Sequence, residues 1–353
     1  MSSAAEKTWG DPTPSPQVGA LMAAEIAEQP EVLARLLANS EPFSEAAARI
    51  AASRPRFVLI AARGTSDHAG LYAKYLAEVQ MQLPAGLVSP SALTVYGARP
   101  QMSDVLFVAV SQSGRSPDLI DSLTAARQGG ALTVAVTNAP DSPLARAAEL
   151  SVDVLAGLER AVAATKTYTA QLLALHLLLG GEQAAREAAG LPEAAARTLA
   201  LTSDEQLAAI AARFQYAERL VLTARGYSYP TAREAALKLM ETSYLGAQAF
   251  SGADLLHGPL AMIDRSVPVI AITSPGKGGR AMQPVLERLA ELEAHVLRVG
   301  VEQGLPIAAD GVPEQLLPIL EILPLQRLAW RVALDRAFDP DRPRGLSKVT
   351  QTT

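Results

Sequence analysis

The chain has 353 residues, a net charge of −5, a pI near 5.5, 49% hydrophobic residues and 5% aromatics. That acidic balance argues against nucleic acid or an anionic membrane as the main partner, and no apolar stretch approaches the ~20 residues of a membrane span. With no cysteine, the chain has no disulfide, thiolate metal site or thiol nucleophile.

Residues 1–16 are polar, with Pro12, Pro14 and Pro16, and read as loose. They carry no basic-then-apolar secretory pattern, so a cytoplasmic location is expected. Residues 18–52 read as helices, on the amphipathic spacing of Ala20, Met22, Ile26, Val32, Leu33, Leu36 and Leu37. Strand-like runs follow at 57–62, 105–110, 132–137 and 151–155, alternating with helical stretches near 67–80, 116–128 and 162–179. Gly180-Gly181 ends the last of these, and Ala/Glu-rich helix over 181–213 links to a second set. There the strands fall at 219–224, 268–273, 295–299 and 316–319, and the helices near 230–246, 279–292 and 324–337. Such alternation marks an α/β protein with parallel sheets wrapped by helices. The expected division is a helical extension over 1–40, one domain over 41–190, a second over 200–338, and a tail over 339–353 that closes the site.

The two sets are copies. Val58 to Gly64 returns as Leu220 to Gly226, and Phe107 to Gly114 pairs with Val269 to Gly276, both 162 residues on. Leu132 to Val136 meets Ala294 to Arg298 at the same spacing. Three elements in fixed register, with no net insertion, point to a duplicated domain.

In open parallel sheets ligands sit beyond the carboxyl ends of the strands. The first half has two hydroxyl-rich loops there, Gly64-Thr65-Ser66 and Ser111-Gln112-Ser113-Gly114-Arg115-Ser116. Short hydroxyls and backbone N–H groups at a helix start suit a phosphate monoester, while ordinary helix capping by Ser or Thr is the competing explanation. Neither loop is a dinucleotide or nucleoside-triphosphate fingerprint. The second half places Pro275, with no N–H, where Ser113 stood. One phosphate site per chain is therefore expected.

The second half instead has Glu234, Lys238 and Glu241 at helical spacings of four and three, on one face. A solvated stripe of ion pairs would look the same. His257, between Leu256 and Gly258-Pro259, lies on a shaped loop, and a buried structural histidine is the alternative. Lys348 stands near the chain end, where a solvated tail residue is the alternative. The four histidines, His68, His176, His257 and His295, show no metal-ligand spacing; no metal and no cofactor are expected.

Taken together, Gly64-Thr65-Ser66, Ser111 to Gly114, Thr165-Lys166, Glu234 to Glu241, His257 to Leu260 and Pro343 to Lys348 resemble the tandem sugar isomerase (SIS) domain family. The likeness covers residues 22–350 and is strongest to the isomerase half of glucosamine-6-phosphate synthase and its stand-alone relatives. The resemblance implies two SIS domains, each a five-stranded parallel sheet flanked by helices in three layers, and a site for a hexose 6-phosphate. It implies that Ser111, Gln112, Ser113 and Ser116 hold the phosphate, and that Thr65, Ser66 and Val162 line the sugar pocket. Glu241 would move a proton between C1 and C2, with Lys238 beside it. His257 would assist ring opening from the neighbouring subunit of a homodimer. Lys348, preceded by Ser347, would contact the open-chain sugar. Two residues depart from the pattern: Ala164 replaces a serine, and Met240 a lysine.

A glutaminase half is not expected, since the chain lacks the cysteine its chemistry needs. Isomerase chemistry without an ammonia source suggests hydrolytic deamination of D-glucosamine 6-phosphate to D-fructose 6-phosphate and ammonia. A fructosamine-6-phosphate deglycase, a galactosamine-6-phosphate deaminase and a non-catalytic sugar-phosphate sensor remain the other readings. The short, non-basic N-terminal segment weighs against the sensor, because such sensors often carry a DNA-binding module.

Overall fold

The computed structural model describes residues 17–348, so the expectations for 1–16 and 349–353 lie outside the described residues. Three helices open the chain: α1 (Ala20–Ala27), α2 (Gln29–Ala38) and α3 (Glu41–Ser53). The first half continues as β1 (Phe57–Ala61), α4 (Thr65–Val79), β2 (Ala85–Leu87), α5 (Pro90–Thr94), β3 (Val105–Ser111) and α6 (Pro117–Gln128). It ends with β4 (Leu132–Thr137), α7 (Pro143–Ala147), β5 (Leu150–Asp153) and α8 (Lys166–Ala188). Helices α9 (Leu191–Ala200) and α10 (Asp204–Ala211) lead to β6 (Arg219–Ala224), α11 (Tyr229–Ser243), β7 (Gly246–Ser251) and α12 (Gly252–Leu256). Then come β8 (Val269–Ile272), α13 (Lys277–Arg280), α14 (Gln283–Glu291), β9 (Val296–Val299) and α15 (Leu317–Asp335). Among the described residues no helix is long and apolar enough to cross a membrane.

Both sheets are parallel, in the orders β2-β1-β3-β4-β5 and β7-β6-β8-β9. The duplication reaches down to register. Val58 pairs with Ala85 as Leu220 pairs with Ala247, and Leu59 pairs with Phe107 as Val221 pairs with Val269, each 162 residues apart. At the next strand the offset grows by one: Phe107 opposes Thr133, whereas Val269 opposes Val296. The second half therefore carries one extra residue between β8 and β9, contrary to the uninterrupted register expected.

The expectation of five strands in each sheet is wrong for the second half, whose sheet has four. Among the described residues, only a single bridge, Val299 to Leu305, continues the ladder after β9. Pro306 follows at once and cannot donate to it, and Gly304 and Gly311 loosen the flanks. The run at 316–319, read as a strand, is the start of α15, with Pro318 in its first turn. Two other boundaries move. The helix expected over 162–179 begins at Lys166 and passes through a kink at Gly181 to Ala188, and that expected over 279–292 is split into α13 and α14. The edge strands β2 and β7 were not anticipated.

Alternate residues of β3 feed two cores. Leu106, Val108 and Val110 join α3, α4 and α8 on one face, while Phe107 and Ala109 meet Leu119, Leu123 and Leu144 on the other. Burying each of the Leu, Val and Phe side chains among them contributes about 1.5–3 kcal/mol. In the second sheet Leu220, Leu222, Ile270 and Ile272 enter the same large core as the first face, with α11 and α15. That shared core packs α4 against its repeat counterpart α11, which brings a first-half loop and a second-half helix together.

Candidate active site

Two loops meet at the carboxyl edge of the first sheet, one after β1 and one after β3. The second folds around Gly114, whose φ is +59° and whose Cβ, if present, would lie 2.0 Å from the Ser142 hydroxyl. Only glycine fits. The Gly114 N–H donates to Ser111 Oγ at 3.2 Å, and the Arg115 N–H to Ser113 Oγ at 3.3 Å. Ser116 stands at the N-cap of α6, yet its side chain makes no capping bond, so the capping explanation is not realised there. Arg63 ties the two loops together: its Nε and an Nη each lie 2.7 Å from Oδ2 of buried Asp118.

Glu234, Lys238 and Glu241 are not a solvated stripe. Glu234 and Lys238 are wholly buried, and Glu241 is one-fifth exposed at its side chain. Lys238 Nζ lies 2.6 Å from Glu241 Oε2 and 3.4 Å from Glu234 Oε1, and donates to Thr65 Oγ1 at 3.1 Å. Thr65 in turn donates to Glu234 Oε1 at 3.1 Å. His68 Nδ1 pairs with Glu234 Oε2 at 2.8 Å, which fixes the proton on Nδ1 because a carboxylate only accepts. Burial alone would lower the Lys238 pKa, but the Glu234 and Glu241 carboxylates outweigh it and raise the ammonium above its ordinary range. Lys238 therefore stays charged.

The tail folds back into the same region. Lys348 is about one-quarter exposed, donates to the Ala161 carbonyl at 2.6 Å and lies 3.4 Å from Glu159 Oε2, so it is not a loose tail residue. Buried Glu159 also accepts from Gln112 Nε2 at 3.1 Å, and from the Thr165 and Thr167 N–H groups at 2.7 and 3.2 Å. It thereby caps α8 while holding one residue of the phosphate-type loop and one of the tail. Asp341 anchors the tail to α1, accepting from the Leu21 and Met22 N–H groups at 3.0 and 2.8 Å. Glu25 of α1 accepts from the Arg160 and Ala161 N–H groups, and burial, the largest influence, lifts its pKa to about 7.

These elements enclose a cleft of about 310 Å³ lined by Thr65, Ser66, Ser111, Gln112, Ser113, Ser116, Val162, Glu241, Ser347 and Lys348. Each of those residues was singled out in the sequence. Lys238 lies directly behind Glu241. His257 is the exception: it is exposed on the surface after α12 and does not line this cleft, and it is not a buried structural histidine either. Sequence reasoning missed Arg63, Glu159, Thr167 and Gln171. Two of them adjoin motifs visible in the sequence: Arg63 precedes Gly64-Thr65-Ser66, and Thr167 follows Thr165-Lys166. Among the described residues no group of three His, Asp or Glu is placed to hold a metal ion.

The corresponding loop of the second half is closed by the chain itself. The Gly278 N–H, counterpart of that of Ser116, donates to Glu314 Oε1 at 2.7 Å, and a Cβ on Gly276 would lie 2.4 Å from the same carboxyl group.

The SIS domain family profile matches residues 53–180 and 214–310, one stretch in each half. The isomerizing glutamine–fructose-6-phosphate aminotransferase of Gloeobacter violaceus is 35% identical over 357 residues, which cover 93% of this chain and 58% of that protein. Its namesake in Pyrobaculum aerophilum is 34% identical, with 93% and 57% covered. The chain thus spans somewhat over half the length of these curated relatives. Among solved structures, a protein of Silicibacter pomeroyi provisionally named a phosphosugar isomerase superposes with a TM-score of 0.83 at 31% identity, over 91% of this chain and 99% of that one. The C-terminal domain of glucosamine-fructose-6-phosphate aminotransferase from Francisella tularensis gives 0.81 at 27% identity, over 91% and 98%. Glucosamine-6-phosphate deaminase from Thermotoga maritima gives 0.73 over 94% and 100%; at 19% identity it shares the fold.

Proposed function

This chain belongs to the SIS domain family, and on that footing we propose that it is a deaminase converting D-glucosamine 6-phosphate and water to D-fructose 6-phosphate and ammonia. One observation carries the reading: the Glu241 carboxylate of the second half faces the same cleft as the Ser111–Ser116 turn of the first.

The turn holds the phosphate through its hydroxyls and backbone N–H groups, with Arg63 at its edge. The anchored end fixes the reacting carbons at the other side of the cleft. Ring opening exposes the C1 aldehyde. With Oε2 held by Lys238, Glu241 Oε1 takes the C2 proton while O1 gains one, giving an enolamine. Glu241 returns the proton to C1, so C1 becomes a hydroxymethyl carbon and C2 an iminium carrying the positive charge of the proton that O1 took from solvent. Water adds to C2, one of its protons passes to nitrogen and the other to solvent as the C–N bond breaks, and ammonia leaves a ketone at C2. Lys348, held by Glu159, sits where it can polarise the open-chain sugar. His257 is assigned to the cleft of a partner subunit in a homodimer, as the acid and base of ring opening.

No cysteine in these 353 residues could attack glutamine. The test is ammonia release from glucosamine, galactosamine and fructosamine 6-phosphates, run beside glucosamine 6-phosphate formation from fructose 6-phosphate and glutamine. Release from the gluco substrate, without glutamine-dependent synthesis, is expected. Synthesis without release would overturn the reading.

A further inference from the structure

Two polar atoms in the cleft have been left without partners. The Thr167 Oγ1 and Gln171 Oε1 atoms are buried and make no hydrogen bond among the described residues. Both residues line the cleft, and they stand four apart on one face of α8. Each orphan has a local cause. A helical threonine normally returns its hydroxyl to a carbonyl one turn back, but Thr167 is in the first turn of α8, with no helical turn before it. The Gln171 amide is oriented by its Nε2, which donates to Ser66 Oγ at 2.9 Å and leaves Oε1 as a bare acceptor. Ala164, lining the same cleft in place of the serine that the family pattern carries, supplies only a methyl group.

Burying an unsatisfied polar atom is costly, and two in one cleft are not left unpaired without cause. Their chemistry is specific: one acceptor beside a hydroxyl that both donates and accepts. That pair complements a neutral O–H group, which donates to Gln171 Oε1 and accepts from Thr167. It suits an anion poorly, since the Gln171 atom left without a partner is an acceptor.

We propose that Thr167 and Gln171 form a hydroxyl-reading subsite that recognises one secondary hydroxyl of the open-chain sugar. This rests on the sugar-phosphate reading above and adds residues to it that decide which sugar is accepted.

The test is calorimetric binding of 2-amino-2-deoxyglucitol 6-phosphate, an unreactive open-chain analogue, and of its 3-, 4- and 5-deoxy derivatives. The wild-type protein should bind one derivative about tenfold or more weakly than the parent, as expected for one buried hydrogen bond. Thr167→Val should bind the parent more weakly than the wild type does, and should lose less than the wild type on removal of that hydroxyl, because one of the hydroxyl's two partners is then already missing. Gln171→Met should repeat the pattern and serves if the first variant folds poorly. A flat wild-type series, as a permanently trapped water would give, overturns the inference. So does a Thr167→Val loss equal for all four ligands, which marks a structural role. If the wild type binds the parent but shows no such coupling, the subsite alone fails. If it binds none of the four, the sugar-phosphate reading fails with it.

Discussion

Lys238 Nζ lies 2.6 Å from Glu241 Oε2, one turn of α11 away, and this contact links a buried charge cluster to an open cleft. Lys238 is wholly enclosed, whereas Glu241 is part-exposed, so the pair spans the wall of the site. On the buried side Glu234 completes the cluster, supported by Thr65 and His68 from the counterpart helix α4. Duplication thus brings two equivalent helices into contact, and divergence has given them different tasks.

Removing the ammonium should unbalance the cluster. Lys238→Met leaves Glu234 buried without its cation, an arrangement that costs about 3–5 kcal/mol. Urea unfolding near pH 7 should show a loss of that order together with loss of turnover. A loss below about 1 kcal/mol would mean that Glu234 does not depend on Lys238 for its charge balance.

The pH dependence of stability should carry a signature of Glu321. This carboxyl is wholly buried in α15, and Ser228 donates to its Oε1 at 2.8 Å. Burial, the largest influence, raises its pKa from 4.5 to about 7. The folded protein therefore holds this proton up to about pH 7, while the unfolded chain releases it near 4.5. The contribution to stability is complete below the lower value and lost as pH rises through the upper one. Glu321→Gln should thus gain on the wild type by roughly 3 kcal/mol between pH 4 and pH 8, the equivalent of the shift at about 1.4 kcal/mol per unit. Glu25 titrates in the same window, but it is present in both proteins and cancels in the difference. Parallel stability curves would contradict the assignment.

Much of this site was legible before the structure. The repeat marked matching loops, and Pro275 told the two apart; the Gly278–Glu314 contact adds that the second loop is filled from within. What sequence hid has physical reasons. β2 is three residues long, and β7 follows α11 so closely that the helix read through to 246. Leu316 to Leu320 is apolar throughout because α15 is buried in the shared core, so it shows neither period. Glu159 acts by accepting backbone N–H groups in a loop, which no spacing marks, and Thr167 and Gln171 lie on a stretch of α8 buried on every face from Lys166 to Leu178, so their spacing of four shows no amphipathic contrast.

The position of His257 makes a subunit-mixing prediction. Glu241→Gln and His257→Ala should each be inactive alone. If each site takes Glu241 from one chain and His257 from its partner, a mixed dimer contains one intact site. Refolding the two variants together in equal amounts should then restore about one-quarter of wild-type activity. No recovery would place His257 outside the partner's cleft.

The most direct measurement follows deuterium into the sugar. Wild-type protein and Glu241→Gln are incubated with glucosamine 6-phosphate in D2O, and label at C1 of the product and C2 of recovered substrate is read by NMR beside calorimetric affinity. The account predicts exchange and ammonia release by the wild type. The variant should bind within about threefold, with both exchange and release down at least a hundredfold. Exchange by Glu241→Gln at the wild-type rate would show that another group moves the proton.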